Sequence, residues 1–277
     1  MEIQYLGTAS AEGWPALFCN CEICRRAREV GGKELRTRTQ ALVDGKILID
    51  LPPDTYMHAL KYSLQLGQIR HLLVTHSHMD HFFPVELIHR HEHFGHYAEG
   101  ILQVYGSEAA EKAFYDAVLI DRFKVHPLDD AVRFVRLEPF ADFMADGYHI
   151  IPVPADHDKR ETCLIYVIEK DGKSLLYGHD TGMNLSQEAW DCILGRTYDL
   201  ISLDATMGKH HAKEYHMGLP DVLTVVRRME ERGCIRPDTV KVINHFSHNG
   251  KMTHEELERF AAEHGLTAAY DGMNVRV

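Results

Sequence analysis

The stretch LLVTHSHMDH at residues 72–81 limits the possible folds of this chain more than any other. Its first half is apolar and β-prone, which predicts a buried strand. Because side chains alternate along a strand, His76 and His78 would point to one face, and Asp80 and His81 follow at the turn. Imidazole and carboxylate groups suit Zn²⁺, and Mn²⁺ or Fe²⁺ also accept them. The stretch therefore predicts a metal site at the end of a buried strand.

Short apolar segments alternate with helical patterns, which predicts an α/β fold with two sheets. Two Asp-Gly pairs, at 44–45 and 171–172, predict hairpin turns. Thr253 followed by Glu256 predicts a capping box. With no linker rich in Pro, Gly or Ser, residues 1–277 are predicted to form a single domain. The predicted strands are 40–43, 46–50, 71–75, 103–105, 132–136, 148–154, 164–169, 174–177, 200–203 and 239–243. The predicted helices are 54–66, 84–93, 107–119, 186–194, 220–232 and 253–264.

The charge of the chain limits its partners. The formal net charge is −11, which opposes binding to nucleic acid or to anionic membranes, since both need a basic face. A small anionic substrate at a local cationic site stays compatible with this charge. The first residues are typical of a strand rather than of a leader peptide, and no apolar run approaches ~18 residues. We therefore expect a cytoplasmic protein, whose cysteines are thiols or metal ligands.

The stretch at 76–81 resembles the signature of the metallo-β-lactamase fold, and further expected residues follow in order. His157 comes after the strand at 148–154, Asp180 after that at 174–177, and His245 after that at 239–243. Each stands at the end of a strand, where a shared site could form. The resemblance implies a four-layer αββα sandwich of two mixed β-sheets flanked by helices.

The same resemblance implies two divalent metal ions, Mn²⁺ or Zn²⁺, with Fe²⁺ as a further alternative. All ligands proposed for them are nitrogen or oxygen donors, which do not decide between these metals. One ion would be held by His76, His78, His157 and Asp180. The other would be held by Asp80, His81, Asp180 and His245.

Three cysteines within six residues predict a second kind of metal site. Cys19, Cys21 and Cys24 are one ligand short of a closed tetrahedral zinc site. We predict His248 as the fourth ligand, because it lies three residues after His245 and one loop could then serve both sites.

The cysteine pattern narrows the resemblance to the PhnP-like subgroup of cyclic-phosphate phosphodiesterases. The motifs that carry this resemblance are LGT at 6–8, GWP at 13–15, the Cys-x-Cys-x-x-Cys triplet, RRAR at 25–28 and YDGM at 270–273. The resemblance implies one structural zinc closed by His248, and it suggests a homodimer. It also implies hydrolysis of a cyclic phosphate, such as a phosphoribosyl 1,2-cyclic phosphate, or of a linear phosphodiester.

The expected reaction is attack on phosphorus by a hydroxide held between two cations about 3.5–4 Å apart. The predicted catalytic residues are Asp80, Asp180 as the bridging carboxylate, and His216 as a phosphate contact or acid. Several neighbours receive lesser roles. Asp50 and Asp204 are candidates to orient ligand imidazoles, Thr181 and Ser247 to hydrogen-bond ligands, and His179 to line the pocket, whereas His210 and His211 are expected at the surface.

Other activities of the fold stay open. A PqqB-like cofactor-biosynthesis protein carries a related cysteine triplet, and iron in the site would favour it. A tRNase Z-type nuclease shares the metal motif but needs a basic arm that we do not find. Thioester or lactone hydrolysis is also common in this fold. The residues His89, His91, His93 and His96, within the histidine-rich stretch 82–97, are either a solvated helix face or a lid over the pocket.

Overall fold

A computed structural model gives the fold and describes residues 1–96, 98–120, 128–212 and 214–277. In these ranges two mixed sheets have seven strands each. The strands of the first sheet are β1 (Glu2–Gly7), β2 (Gln40–Val43), β3 (Ile47–Ile49), β4 (His71–Leu73), β5 (Leu102–Gly106), β6 (Val132–Arg136) and β14 (Met273–Arg276). Their order is β14-β1-β2-β3-β4-β5-β6, antiparallel as far as β3 and parallel from β3 to β6.

The second sheet repeats this mixture of directions. Its strands are β7 (Phe143–Ala145), β8 (Tyr148–Pro154), β9 (Leu164–Lys170), β10 (Lys173–Gly178), β11 (Tyr198–Asp204), β12 (Ile235–Asn244) and β13 (Thr267–Ala268). Their order is β13-β12-β11-β10-β9-β8-β7, antiparallel from β7 to β10 and parallel from β10 to β13.

Helices cover the outer faces of both sheets. They are α1 (Glu22–Val30), α2 (Thr55–Tyr62), α3 (Glu108–Ile120), α4 (Gln187–Leu194), α5 (Leu219–Glu231) and α6 (His254–Glu263). On the first sheet α3 contacts β5 and β6, whereas on the second α4 contacts β8 and α5 contacts β12. The predicted four-layer arrangement is therefore confirmed. No helix in the described ranges combines the length and the apolar character needed to span a bilayer.

One apolar core lies between the sheets because inward side chains of both strand sets alternate with outward ones. It includes Ile3, Tyr5 and Ile49 of the first sheet and Ile150 and Tyr166 of the second. This core also continues under the helices of the second sheet. A smaller apolar cluster fills the layer between the first sheet and α3.

The predicted strands are all present, with ends that differ by a few residues. Both Asp-Gly hairpin turns are confirmed, since Asp44 and Gly45 have φ of 48° and 66°, and Asp171 and Gly172 have φ of 51° and 75°. The helix predicted at 54–66 already ends at Tyr62, because Ser63 takes the left-handed conformation. The segment predicted as a helix at 84–93 forms a 3₁₀ helix over Pro84–Arg90.

Two of the four histidines at 89–96 border a cavity of about 860 Å³ on the outer side of the first sheet. His89 and His96 line it beside Arg90 and Phe94, together with apolar residues of α2 and of the sheet. His89 Nδ1 lies 3.0 Å from Glu86 Oε2. The stretch 82–97 is therefore not one regular helix face, and its last residue, Tyr97, lies outside the described residues.

Candidate metal centre

His76, His78 and His81 come together directly after β4. The ring centroid of His76 lies 4.5 Å from that of His78 and 4.4 Å from that of His81. His76 and His81 are buried, whereas His78 is partly exposed. The short strand therefore delivers three imidazoles to one end of the first sheet.

His157 reaches the same place from the end of β8 in the other sheet. Its ring centroid lies 4.9 Å from that of His76 and 5.2 Å from that of His78. One nitrogen from each of these three rings lies within 4.8 Å of the others, so the group can hold a metal ion. His157 Nδ1 donates to the carbonyl oxygen of Tyr215 at 2.9 Å, which leaves His157 Nε2 free to face the other two imidazoles.

Asp180 stands between two groups of possible ligands. Its Oδ2 lies 2.6 Å from His81 Nε2 and 3.1 Å from His245 Nε2, and its Oδ1 lies 3.9 Å from His157 Nε2. Asp80 adds a carboxylate whose Oδ2 lies 3.2 Å from His81 Nε2. The structure thus gathers all seven side chains predicted for the active site. We call them the metal cluster: His76, His78, Asp80, His81, His157, Asp180 and His245.

Left-handed backbone directs three side chains toward this cluster. Asp50, Asp180 and His245 have φ of 66°, 50° and 61°. Asp50 and His245 directly follow β3 and β12, and Asp180 comes two residues after the end of β10. Such φ values are unfavourable for residues other than glycine and concentrate at functional sites. The parallel strands also end at one edge of each sheet, where ligands bind in α/β proteins.

Two buried polar atoms of the metal cluster lack hydrogen-bond partners and are placed as ligands of a cation would be. His76 Nε2 and Asp180 Oδ2 make no hydrogen bond within the described residues, although Asp180 Oδ2 has imidazole nitrogens at 2.6 and 3.1 Å. Buried polar atoms are almost always paired, so such atoms need an explanation. Nitrogen and oxygen atoms that lie close together without hydrogen-bond geometry are typical of ligands to a shared metal ion.

The charges of the metal cluster support the same conclusion. Burial raises the pKa of Asp180, but His245 and His81 outweigh burial and hold this pKa well below its usual value. Burial lowers the pKa of His81, but the carboxylates of Asp180, Asp80 and Asp50 outweigh it and raise this pKa well above its usual value. The carboxylate of Asp180 is therefore ionised, and buried negative charge of this kind is stable only beside a positive partner.

Neighbouring groups fix the second nitrogen of several imidazoles, as expected for metal ligands. His81 Nδ1 lies 2.8 Å from Asp50 Oδ2, as predicted for Asp50. His78 Nε2 lies 3.0 Å from Asp158 Oδ2, and His245 Nδ1 lies 2.7 Å from Thr206 Oγ1. Sequence reasoning missed the last two partners, although Asp158 stands directly after His157.

Asp50→Asn is expected to weaken metal binding at the His81 side of the cluster about 10–100-fold, the usual effect of losing such a partner. Asp50 is fully buried, and it accepts hydrogen bonds from Thr75 N, Thr75 Oγ1 and His81 Nδ1. The amide retains the shape but loses the charge that orients His81. Titration of the metal-free protein with Zn²⁺ or Mn²⁺ measures the affinity.

Asp146→Asn is a matched control for this prediction. Asp146 also has a left-handed backbone, with φ of 48°, but it pairs with Arg70 at the surface. Equal metal affinity of Asp50→Asn and Asp146→Asn would contradict the orienting role.

Asp204 and His216 form a pair at the edge of the metal cluster. His216 Nδ1 lies 3.0 Å from Asp204 Oδ2 and 3.4 Å from Asp180 Oδ1. Burial lowers the pKa of His216, but the carboxylate of Asp204 outweighs it and raises this pKa to about 9. Asp204 was expected to orient a ligand imidazole. Asp204 Oδ2 lies 3.8 Å from His245 Nδ1, too far for a hydrogen bond, and the imidazole that it pairs with is that of His216.

The predicted contacts of Thr181, Ser247 and His179 were wrong. Thr181 Oγ1 accepts a hydrogen bond from Asp156 N, and Ser247 Oγ donates to Glu12. His179 is buried between the sheets, where its Nε2 lies 2.7 Å from Ser202 Oγ, so it does not line a pocket. In each case a neighbour from a distant segment supplies the partner.

The two histidines expected at the surface lie where the chain leaves β11. His211 is exposed and bonds through Nδ1 to Asp221 Oδ1 at 2.8 Å, whereas His210 is half-buried. His210 is therefore less exposed than predicted.

A second group of possible metal ligands lies at the start of α1. The Sγ atoms of Cys19 and Cys21 lie 3.7 and 3.5 Å from His248 Nδ1, and Cys24 completes a group of four within 4.8 Å. Burial raises the pKa of Cys21, but hydrogen bonds involving the Cys24 backbone and His248 outweigh it and lower this pKa to about 6. A thiolate at neutral pH fits a zinc ligand. We call this group the cysteine cluster.

Comparison with known proteins agrees with this geometry. Residues 46–245 match the family model described as a beta-lactamase superfamily domain. A structure described as a new diphosphatase from the PhnP family is similar, with 21% identity, a TM-score of 0.76 and coverage of 100% of this chain and 97% of that chain.

Two further solved structures are similar in fold. Zinc-bound PqqB from Methylobacterium extorquens has 19% identity, a TM-score of 0.75 and full coverage of both chains. Human tRNase Z, short form, has 16% identity, a TM-score of 0.69 and coverage of 100% of this chain and 99% of that chain. No curated protein sequence matches the chain.

Proposed function

Because the chain belongs to the β-lactamase superfamily and is a metal-dependent hydrolase of that fold, we propose that it hydrolyses a small cyclic or linear phosphodiester. We also propose that residues 1–277 act as one hydrolase domain, and that the chain is PhnP-like. The proposal is carried by one observation: Asp180 belongs to two groups of possible metal ligands, one with His76 and His81 and one with Asp204, His216 and His245.

The metal cluster is assigned as the site of two divalent ions, with the ligand sets predicted from the sequence. Bound there, such ions would supply Lewis acidity and a nucleophilic water at neutral pH. Asp180 and Asp80 provide the negative charge that holds them in place. The cysteine cluster is assigned as the site of one structural zinc.

His216 is assigned the role of proton donor to the leaving oxygen. Asp204 Oδ2 lies 3.0 Å from its Nδ1, which leaves Nε2 as the atom that can give a proton. Asp204 in turn accepts hydrogen bonds from Thr206 N and Met217 N, so its carboxylate is held in one orientation. An imidazole oriented by a fixed carboxylate is typical of general acid–base catalysis.

Several facts favour a phosphodiester over other substrates. Two of the similar structures are named as a diphosphatase and a tRNase, which are enzymes that act on phosphoryl groups. The net charge of −11 disfavours a large nucleic acid and stays compatible with a small anionic substrate at a local cationic site.

The direct test compares bis(p-nitrophenyl) phosphate with a thioester and a lactone, using protein of measured metal content. We expect hydrolysis of the diester and its loss in Asp180→Ala. Faster turnover of the thioester or lactone would contradict the proposal. Bound iron without diesterase activity would favour a PqqB-like role instead.

His216→Asn is expected to reduce kcat by roughly 10²–10⁴-fold for a cyclic phosphate with an alkoxide leaving group, the range for loss of a general acid. The loss should be much smaller for bis(p-nitrophenyl) phosphate, because nitrophenolate leaves without a proton. Steady-state kinetics on both substrates measures the difference. His211→Asn, an exposed histidine of the same segment, is the control. Equal losses for both substrates would exclude the role of proton donor.

A further inference from the structure

Tyr215 occupies a strained turn beside the metal cluster. His216 N donates to Glu214 O at 2.8 Å, and Tyr215 between them has φ of 68°. A three-residue turn with positive φ at its centre is rare, and for a bulky residue it is costly. Glycine would adopt this conformation without that cost. The presence of tyrosine here therefore needs a reason.

Packing does not supply that reason. The residue is 45% exposed, and it is part of neither apolar core. An exposed aromatic side chain on strained backbone gains little folding free energy. Strained residues persist where the surroundings hold them, and they concentrate at functional sites.

The backbone of Tyr215 is tied to the metal cluster. Its carbonyl oxygen accepts the hydrogen bond from His157 Nδ1 at 2.9 Å. A Cβ added to Gly182 would lie 2.9 Å from Tyr215 N, so the turn packs closely against the chain that follows Asp180. The backbone of Tyr215 is thus held against His157 and against the chain that follows Asp180.

The ring lies beside a cation on the loop that carries His157. Lys159 Nζ is 5.9 Å from the ring centroid of Tyr215 and pairs with the buried carboxylate of Asp156. An exposed ring face next to an ammonium group suits a planar ligand that also carries negative charge.

We propose that Tyr215 is a stacking platform for a planar ring of the substrate, a nucleobase or another aryl group joined to the scissile phosphodiester. The inference rests on the proposed function and narrows it to nucleotide-like or aryl esters. The ring of Tyr215 contributes binding, and its strain is tolerated because the turn also holds His157 and His216.

The test measures binding of adenosine 5′-monophosphate and ribose 5-phosphate by calorimetry, with metal-loaded protein. Stacking of one base predicts that wild type binds the nucleotide about 10–100-fold more tightly than the sugar phosphate. Tyr215→Gly should bind both alike, and Tyr215→Phe should retain the preference. Because glycine relieves the strain, Tyr215→Gly should melt at the same temperature as wild type or higher.

Tyr115→Ala is the matched control, since Tyr115 is 48% exposed on α3 and should not affect the preference. Equal binding of the two ligands by wild type, or a preference that survives in Tyr215→Gly, would overturn the proposal. A clear fall in the melting temperature of Tyr215→Gly would show a structural role for the ring instead. The binding and melting measurements do not need turnover. A preference for the nucleotide without diesterase activity would therefore reject the proposed reaction but support the stacking role of Tyr215.

Discussion

Asp180→Asn is expected to lower kcat/KM for a phosphodiester by at least ~10³-fold, about 4 kcal/mol of transition-state stabilisation, and to reduce the bound metal. The reason is geometric. Asp180 is the carboxylate whose two oxygens face both groups of the cluster, at 2.6 Å from His81 Nε2 and 3.9 Å from His157 Nε2. An amide retains one acceptor oxygen but loses the charge. Metal analysis and steady-state kinetics on the same preparations measure both effects.

Asp171→Asn provides the matched control for this substitution. Asp171 also has a left-handed backbone, with φ of 51°, but it stands at the exposed hairpin tip between β9 and β10. Asparagine tolerates that conformation, so activity and metal content should not change. If Asp180→Asn retained two metals and wild-type activity, the bridging role would be rejected.

Cys21→Ser is expected to remove one zinc ion per chain and to lower the free energy of unfolding by about 4 kcal/mol or more, as for loss of a structural metal. Apolar burial cannot hold this loop, because Leu17 and Phe18 are 68% and 96% exposed. Arg28 holds the loop at Cys19 O, and in the proposed assignment a zinc ion shared by the sulfur atoms and His248 would add the larger part. Zinc analysis and urea unfolding measure the two effects.

Cys192→Ser tests whether the effect belongs to the cysteine cluster. Cys192 is half-buried on α4 and makes no part of that cluster. Its replacement should leave zinc content unchanged. Unchanged zinc content in Cys21→Ser would remove the case for a structural site.

One loop joins the metal cluster and the cysteine cluster. Phe246 N and O bond to Thr8 O and Ser10 N, which fastens the loop after β12 to the chain after β1. The same loop carries His245 at one end and His248 at the other. Loss of the structural zinc should therefore also loosen a ligand of the metal cluster, and some loss of activity in Cys21→Ser is consistent with the assignment.

Local patterns predicted much of the fold correctly. The Asp-Gly turns were evident because φ greater than zero favours those residues, and strands were evident from β-branched apolar runs. The helix α1 was missed, because its pattern Glu22–Val30 is mostly charged and buries only Cys24 and Ala27.

The sequence by itself determined the layered fold and the group of residues that meet at the metal cluster. Each of these residues comes after a strand, and most of these strands belong to the parallel parts of the sheets, whose ends meet at one edge. Only the tertiary structure decided the partners: Asp158 for His78, Thr206 for His245, Asp204 for His216, and the strained turn at Tyr215. These contacts join segments that are distant in the chain or depend on loop conformation, and the packing of the two sheets sets both.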